Sequence, residues 1–241
     1  MHADSSSVKA LSVALVGAPN SGKTTLYNWL TGSNYKTVNY PGATVEYSLG
    51  RLAPHLRATE SESLLVMDTP GTYSLHPKSA DEEVTLKALY ENPELQRADF
   101  IIVVVDGTQM SRHLQLAKQI RETGFPMVIA LTMSDLLRKQ DLKPSFDLLE
   151  KEFQCPVIPF DGLLGGGLRE MAQAVRGLKP QAEVRKPVAW SFEVQDKKIA
   201  EIDELAFKVL HQKNTNADAK LMQVVKTTRR LDALLLHPVF G

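Results

Sequence analysis

Along the chain, short continuous apolar runs alternate with stretches whose apolar positions recur at helical spacing. Residues 11–16 form a β-branched run that stops at Gly17, and 23–30 then reads as the start of a helix. A second run, 63–67, is ended by Asp68, Thr69, Pro70 and Gly71, and 80–90 follows as a polar-faced helix. The run 100–105 is apolar throughout and precedes a helix at 112–122; 126–131 and 156–160 are two more strands, each followed by a helix. Continuous apolar strands separated by helices predict an α/β fold, a mostly parallel sheet with helices on both faces.

This alternation stops near Leu178. Residues 179–187 are polar, carry two prolines and read as a linker. Beyond 196 there are two helical patterns and no strand. Ile199, Ile202, Leu205, Ala206, Val209 and Leu210 lie on one stripe; Leu221, Val224, Val225, Thr228, Leu231 and Leu235 lie on another. The predicted organisation is a tail over 1–10, an α/β domain over 11–178 and a small all-helical domain over 179–241.

Composition narrows the function. The 28 basic and 28 acidic residues balance, so bulk electrostatics do not favour nucleic acid as a partner. A single cysteine, Cys155, excludes an internal disulfide framework and fits a reducing compartment. No apolar run approaches the ~18–20 residues that span a bilayer, and 1–9 lacks the apolar core of a signal peptide. The histidines are scattered, with no ligand spacing for a structural metal.

Gly17, Ala18, Pro19, Asn20, Ser21, Gly22, Lys23 and Thr24 match the pattern of glycine, four residues, then Gly-Lys-Ser/Thr, in the required order of strand, loop and helix. Glycines let the main chain curl so that its N–H groups point at phosphate oxygens, and the helix N-terminus adds partial positive charge. Lys23 is predicted to reach the β- and γ-phosphates, with the Thr24 hydroxyl on Mg2+. Asp68, at the end of the next strong strand, is placed to hold the magnesium shell, and the Gly71 N–H to approach the γ-phosphate.

Thr132, Met133, Ser134 and Asp135 follow the strand 126–131. A carboxylate at 135 can accept from guanine N1–H and the 2-amino group and would oppose adenine. Capping of the following helix is the other reading of Asp135, and taken alone this stretch favours capping.

Together these residues resemble a small GTP-binding domain, and in detail the cytoplasmic N-terminal end of the FeoB ferrous-iron transporter family. The likeness is carried by 17–28, by 39–46, by 68–75 with 81–84 behind it, and by 103–108. It covers 11–178 closely. The helical tail is more weakly similar to the family's helical domain that modulates nucleotide release, and 234–241 resembles the approach to a membrane domain. The resemblance implies a P-loop GTPase fold, GTP/GDP and Mg2+ as ligands, and K+ as a further one. It implies a location at the cytoplasmic face of the bacterial inner membrane, a C-terminal membrane domain as partner, and a homo-oligomer as a further assembly.

Residue by residue, the resemblance implies that Thr44 is the first-switch threonine on Mg2+, and that Gly42, Ala43, Thr44, Val45 and Glu46 wrap the nucleotide. Asp68 to Gly71 would open the second switch. Asn20 would hold potassium, with Asn39 in the loop that closes over it, and the cation would supply transition-state charge where other GTPases use an arginine. Lys23, Thr44, Gly71 and Asn20 form the implied catalytic set; Thr25 adjoins the phosphate loop. Thr72 stands where Ras-like proteins carry a water-orienting glutamine, which predicts slow intrinsic hydrolysis, on the order of 10⁻³ per second.

Two departures stand out. Thr132 replaces the family's asparagine, which should weaken binding by roughly 1–3 kcal/mol. The last motif, commonly Ser-Ala, reads Asp161-Gly162, followed by Leu163. Gly162 still offers an N–H to guanine O6, whereas Asp161 adds negative charge that would lower affinity or perturb the loop. Weak, fast-exchanging GTP binding is the expectation. A soluble RNA-associated GTPase and a non-hydrolysing nucleotide sensor are the competing readings. The balance of 10 basic against 8 acidic residues over 181–241 speaks against the first of these two.

Overall fold

The computed structural model describes residues 10–33, 35–39, 46–93, 95 and 97–210. Gly42, Ala43, Thr44, Val45 and the stripe from Leu221 to Leu235 lie outside them. The strands are β1 (Leu11–Gly17), β2 (Tyr35–Asn39), β3 (Glu46–Arg51), β4 (Leu64–Asp68), β5 (Phe100–Asp106), β6 (Met127–Thr132) and β7 (Val157–Pro159). The helices are α1 (Lys23–Thr31), α2 (Ala80–Tyr90), α3 (Met110–Thr123), α4 (Ser134–Lys139), α5 (Phe146–Phe153), α6 (Leu168–Gly177) and α7 (Phe192–Leu210).

One sheet holds all seven strands in the order β2-β3-β4-β1-β5-β6-β7. β4, β1, β5, β6 and β7 run parallel, while β2–β3 and β3–β4 pair antiparallel. The parallel part is the one predicted from apolar runs. The β2–β3 hairpin was not expected, because Tyr-Lys-Thr-Val-Asn and Glu-Tyr-Ser-Leu-Gly-Arg carry too little apolar character. β2 at the sheet edge has no second neighbour, so its polar residues are tolerated there.

Alternation along each central strand divides the core in two. Ile101, Val103 and Val105 of β5 face one layer, with Ile129 of β6, Leu89 of α2, Leu114 and Ile120 of α3 and Leu149 of α5. Phe100, Ile102 and Val104 face the other, with Leu26 and Leu30 of α1 and Met171 and Val175 of α6. Strands buried on both faces must be apolar at every position, which is why β5 reads as an unbroken run.

The stripe predicted over 199–210 is real. Ile202, Ala206 and Val209 of α7 are buried in the first layer, and Leu205 and Leu210 pack against it. The segment before α7 is laced to the ends of α2 and α3. The Tyr90 hydroxyl donates to the Arg185 carbonyl at 2.6 Å, and the Arg185 N–H to the Thr123 carbonyl at 2.8 Å. Trp190 Nε1 donates to Glu122 Oε2 at 2.8 Å, with Lys198 Nζ 4.3 Å from the indole centroid. Trp190 thus docks the linker rather than filling a core. Among the described residues no helix is long and apolar enough to cross a membrane.

Candidate nucleotide site

The carboxyl ends of β1, β4, β5 and β6 converge on one edge of the sheet, where an open parallel sheet places its ligands. Register sets the positions: Gly17 pairs with Val104, Leu15 with Asp68 and Asp106 with Thr132. The chain then curls from β1 into α1. Asn20 and Gly22 both have left-handed backbones, φ 62° and 88°. Gly17 has no room for a side chain: an added Cβ would lie 2.8 Å from the Val104 carbonyl oxygen. Ser21 is fully buried, and its hydroxyl has no hydrogen-bond partner among the described residues.

The phosphate-loop lysine and threonine meet one carboxylate. Lys23 Nζ lies 2.6 Å from Asp68 Oδ1 and also donates to the Thr69 carbonyl. Thr24 Oγ1 donates to Asp68 Oδ2 at 2.8 Å. Lys23 and Asp68 are both buried, so the pair is strengthened by low local dielectric and screened little by salt. A hydroxyl and a carboxylate side by side are the hard oxygen donors that Mg2+ prefers.

The segment after Asp68 is held on two sides. Its inner side is tied to β1: Thr69 Oγ1 donates to the Leu15 carbonyl at 2.8 Å, and the Thr72 N–H to the Gly17 carbonyl at 3.0 Å. Gly71 lies so close to the phosphate loop that an added Cβ would be 2.8 Å from Pro19 N. Its outer side is tied to α2 and α3. Thr85 Oγ1 donates to the Pro70 carbonyl at 3.0 Å, and Gln119 Oε1 accepts from the Leu75 N–H at 2.7 Å and from Ser74 Oγ at 3.0 Å. The Arg112 guanidinium stacks 3.7 Å from the Tyr73 ring centroid. Thr72 is buried, and its hydroxyl donates to the Ser74 carbonyl at 2.6 Å, a use unlike that of a water-orienting side chain.

Beside Tyr73, the buried His113 accepts the Asp106 N–H on Nδ1 at 3.0 Å. Burial pushes its imidazole below the ordinary pKa, against the pull of the Asp106 carboxylate. Sequence reasoning passed over Arg112, His113 and Gln119; they lie on a helix whose only sequence signal is amphipathic spacing. Cys155 is half-buried, and burial raises its thiol to about 12, so it stays protonated and packs.

At the other end of the edge, Thr132 Oγ1 lies 2.8 Å from the Ser21 carbonyl and 3.2 Å from that of Val105. The departure from asparagine therefore retains a tie between β6 and the phosphate loop. Met133 takes a left-handed backbone, φ 58°, and is the N-terminal flanking residue of α4 without a side-chain cap. Asp135 sits in the first turn of that helix with its carboxylate 3.9 Å from Lys139 Nζ, so it is not spent on capping. A cleft of about 350 Å³ opens beside Asp135, Ser134, Phe160 and Asp161.

Asp161 orders its loop. Its Oδ1 accepts from the N–H groups of Leu163 at 2.9 Å and Leu164 at 3.1 Å, and its main chain closes on Gly165 and Gly166. The expected perturbation of the loop is thus replaced by a carboxylate that organises it. The N–H groups of Leu163 and Leu164 are thus both engaged by Asp161.

Known proteins share this fold and much of its sequence. The family model described as ferrous iron transport protein B covers residues 11–175, more than half of the chain. The Fe(2+) transporter FeoB of Escherichia coli K12 is 36% identical over 181 residues, 73% of this chain and 22% of that protein. That of Salmonella typhimurium LT2 is 36% identical over 172 residues, covering 70% and 21%. The chain thus spans about a fifth of the length of these curated relatives. Among solved structures, the cytosolic domain of T. maritima FeoB in its GMPPNP form superposes with a TM-score of 0.65 at 28% identity, over 82% of this chain and 80% of that one. A GDP-bound mutant of the S. thermophilus FeoB G-domain gives 0.63 at 29%, over 92% and 90%. The solved G domain of T. maritima FeoB superposes with a TM-score of 0.60 at 32% identity, over 69% of this chain and 97% of that one. The residues matched by the family model include the 17–24 loop, β4 with Asp68 and the start of α4 with Asp135; the chain belongs to the ferrous iron transport protein B family.

Proposed function

We propose that this chain binds GTP with magnesium, hydrolyses it to GDP and phosphate, and serves as the regulatory domain of a ferrous-iron transporter. Its partner on that reading is a C-terminal membrane domain at the cytoplasmic face of the bacterial inner membrane. The observation that carries the proposal is the buried convergence of Lys23, Thr24 and Asp68, with contacts of 2.6 and 2.8 Å, at the mouth of a loop too tight for side chains at Gly17. Lys23, released from Asp68, neutralises the β- and γ-phosphate oxygens. The curled 17–24 loop gives its N–H groups to the phosphates, the Gly71 N–H approaches the γ-phosphate, and Thr25 abuts the loop that reads the base. Thr24, Thr44 and Asp68 would hold Mg2+, which supplies positive charge to the same phosphate oxygens.

Asp135 selects guanine by accepting from N1–H and the 2-amino group, with Gly162 N–H on O6. Thr132 braces that end, and Met133, Ser134 and Leu163 flank it. Gly42, Ala43, Val45 and Glu46 belong to the first switch; Thr69 and Pro70 open the second. Asn20, exposed at the turn of the phosphate loop, would hold K+, the source of added positive charge at the transferred phosphoryl group. The functional division is a G domain over 11–178 and a helical domain from 179 onward.

Single-turnover phosphate release from GTP and from ATP, in potassium and in sodium, tests this. Expected is magnesium-dependent release from GTP near 10⁻³ per second in sodium, faster in potassium, with ATP left intact. Equal rates in the two salts remove the cation role. Absence of magnesium-dependent release from GTP overturns the hydrolytic reading.

A further inference from the structure

The loop that follows β7 is fastened to the helix that follows the phosphate loop. Thr25 and Trp29 are four residues apart and share one face of α1. Gly162 and Gly165 lie against that face. An added Cβ at Gly162 would be 3.3 Å from Thr25 Cγ2, and one at Gly165 would be 2.9 Å from Trp29 Cζ3. Trp29 Nε1 donates to the Gly162 carbonyl at 3.0 Å.

That carbonyl belongs to the peptide joining Gly162 to Leu163. The N–H of the same peptide points the opposite way, as a trans amide requires, and donates to Asp161 Oδ1 at 2.9 Å. One peptide plane is therefore held at both ends, by an indole from α1 and by a carboxylate from within the loop. Leu163 and Leu164 at the loop tip are each 82% exposed and contribute no packing anchor. Trp29 is itself 38% exposed, more than a core residue of α1 such as Leu26 or Leu30, so hydrophobic burial alone does not account for its placement.

We propose that Trp29 is a positioning residue for purine recognition: it sets the 161–166 loop, and with it the Gly162 amide, against the helix that carries Lys23 and Thr24. This rests on the reading of Asp135 and Gly162 as the base site. The loop is braced internally by Asp161 and externally by Trp29, so removing the indole frees it to swing as a unit and shortens the residence of the base.

Dissociation of fluorescently labelled GDP from the whole chain tests the inference. Trp29→Ala is expected to release GDP about ten-fold faster than wild type, and Trp29→Phe, which keeps a ring against Gly165 without the N–H, about three-fold faster. In a Trp190→Phe background, emission from Trp29 is expected to shift on adding magnesium GDP and to stay unchanged with magnesium tripolyphosphate, which lacks a base. Release within two-fold of wild type for both variants, or an emission response identical for GDP and tripolyphosphate, overturns the positioning role. Failure of the wild-type chain to take up GDP would instead overturn the base-site reading, and the inference with it.

Discussion

The phosphate end and the base end of the site are built on different terms. At the phosphate end, a buried lysine, a threonine and an aspartate are joined within 2.6–2.8 Å, and the segment after Asp68 is hydrogen-bonded to β1, α2 and α3. At the base end, Asp135 and the 161–166 loop stand at a half-open cleft, ordered by one carboxylate and one indole. Buried charge is preorganised and poorly screened, so loss of a single group is costly. An exposed loop held by a few separate bonds to a solvent-accessible carboxylate and an indole yields in steps. The difference predicts all-or-none responses at one end and graded ones at the other.

The sharpest break is at Lys23. Lys23→Ala removes the cation shared by Asp68 and the triphosphate, and magnesium-dependent phosphate release should fall by at least about 10²-fold. A loss under ten-fold would mean that the buried cluster is structural. At the base end, Asp135→Asn exchanges an acceptor for a group that can also donate. GTP affinity should fall about 10²-fold, as two charge-assisted bonds are replaced, while xanthosine triphosphate gains, because its C2 carbonyl can accept. Competition of the two nucleotides for the same protein measures both changes; parallel losses would refute base reading by Asp135.

The contrast also explains what the sequence disclosed. The 17–24 loop is legible because the chemistry proposed for it needs fixed residue types at fixed spacing: Gly17 for a close approach and Gly22 for a positive φ, with Lys23 and Thr24 proposed for charge and metal. β1, β4, β5 and β6 are legible because both faces are buried along most of their length, which favours apolar residues there and leaves polar ones such as Asp68, Asp106 and Thr132 to the carboxyl ends. The β2–β3 hairpin was illegible because an edge strand can be polar. The ties of the 69–75 segment to Gln119 and Arg112 were illegible because they join residues about 40 positions apart, and the amphipathic spacing of α3 marks a helix without marking which of its polar side chains meet that segment. The place of Asp161 in its loop was illegible for a related reason: its charge was visible, but the two amides that receive it are fixed only by the closed turn to Gly166.

Thr132 sits between the two ends and sharpens the comparison. Its hydroxyl bridges the end of β6 to the Ser21 carbonyl, and it is nearly fully buried. Thr132→Val keeps the shape and deletes the donor. The expected cost is about 1 kcal/mol, roughly five-fold in GDP affinity, with Thr132→Ser restoring most of it. Equal affinity of the valine and wild-type proteins in calorimetry would show that the strand and the phosphate loop are coupled by packing alone.

The smallest effect concerns His113, behind the 69–75 segment. Its Nδ1 accepts the Asp106 N–H, so the native ring is neutral, and Nε2 is buried without a partner among the described residues. Burial lowers its pKa below the unfolded value of about 6.5. Between the two values the unfolded chain binds the extra proton, so stability rises with pH there, is fully present above about 6.5, and is lost as pH falls toward the folded value. The neighbouring Arg112 opposes a charged ring as well. Urea unfolding at pH 7.5, 6.5 and 5.5 should therefore show a falling midpoint, and His113→Gln should flatten that fall while shifting the midpoint at pH 7.5 less. An unchanged slope in the variant would assign the acid sensitivity to other groups and leave the histidine as packing beneath Tyr73.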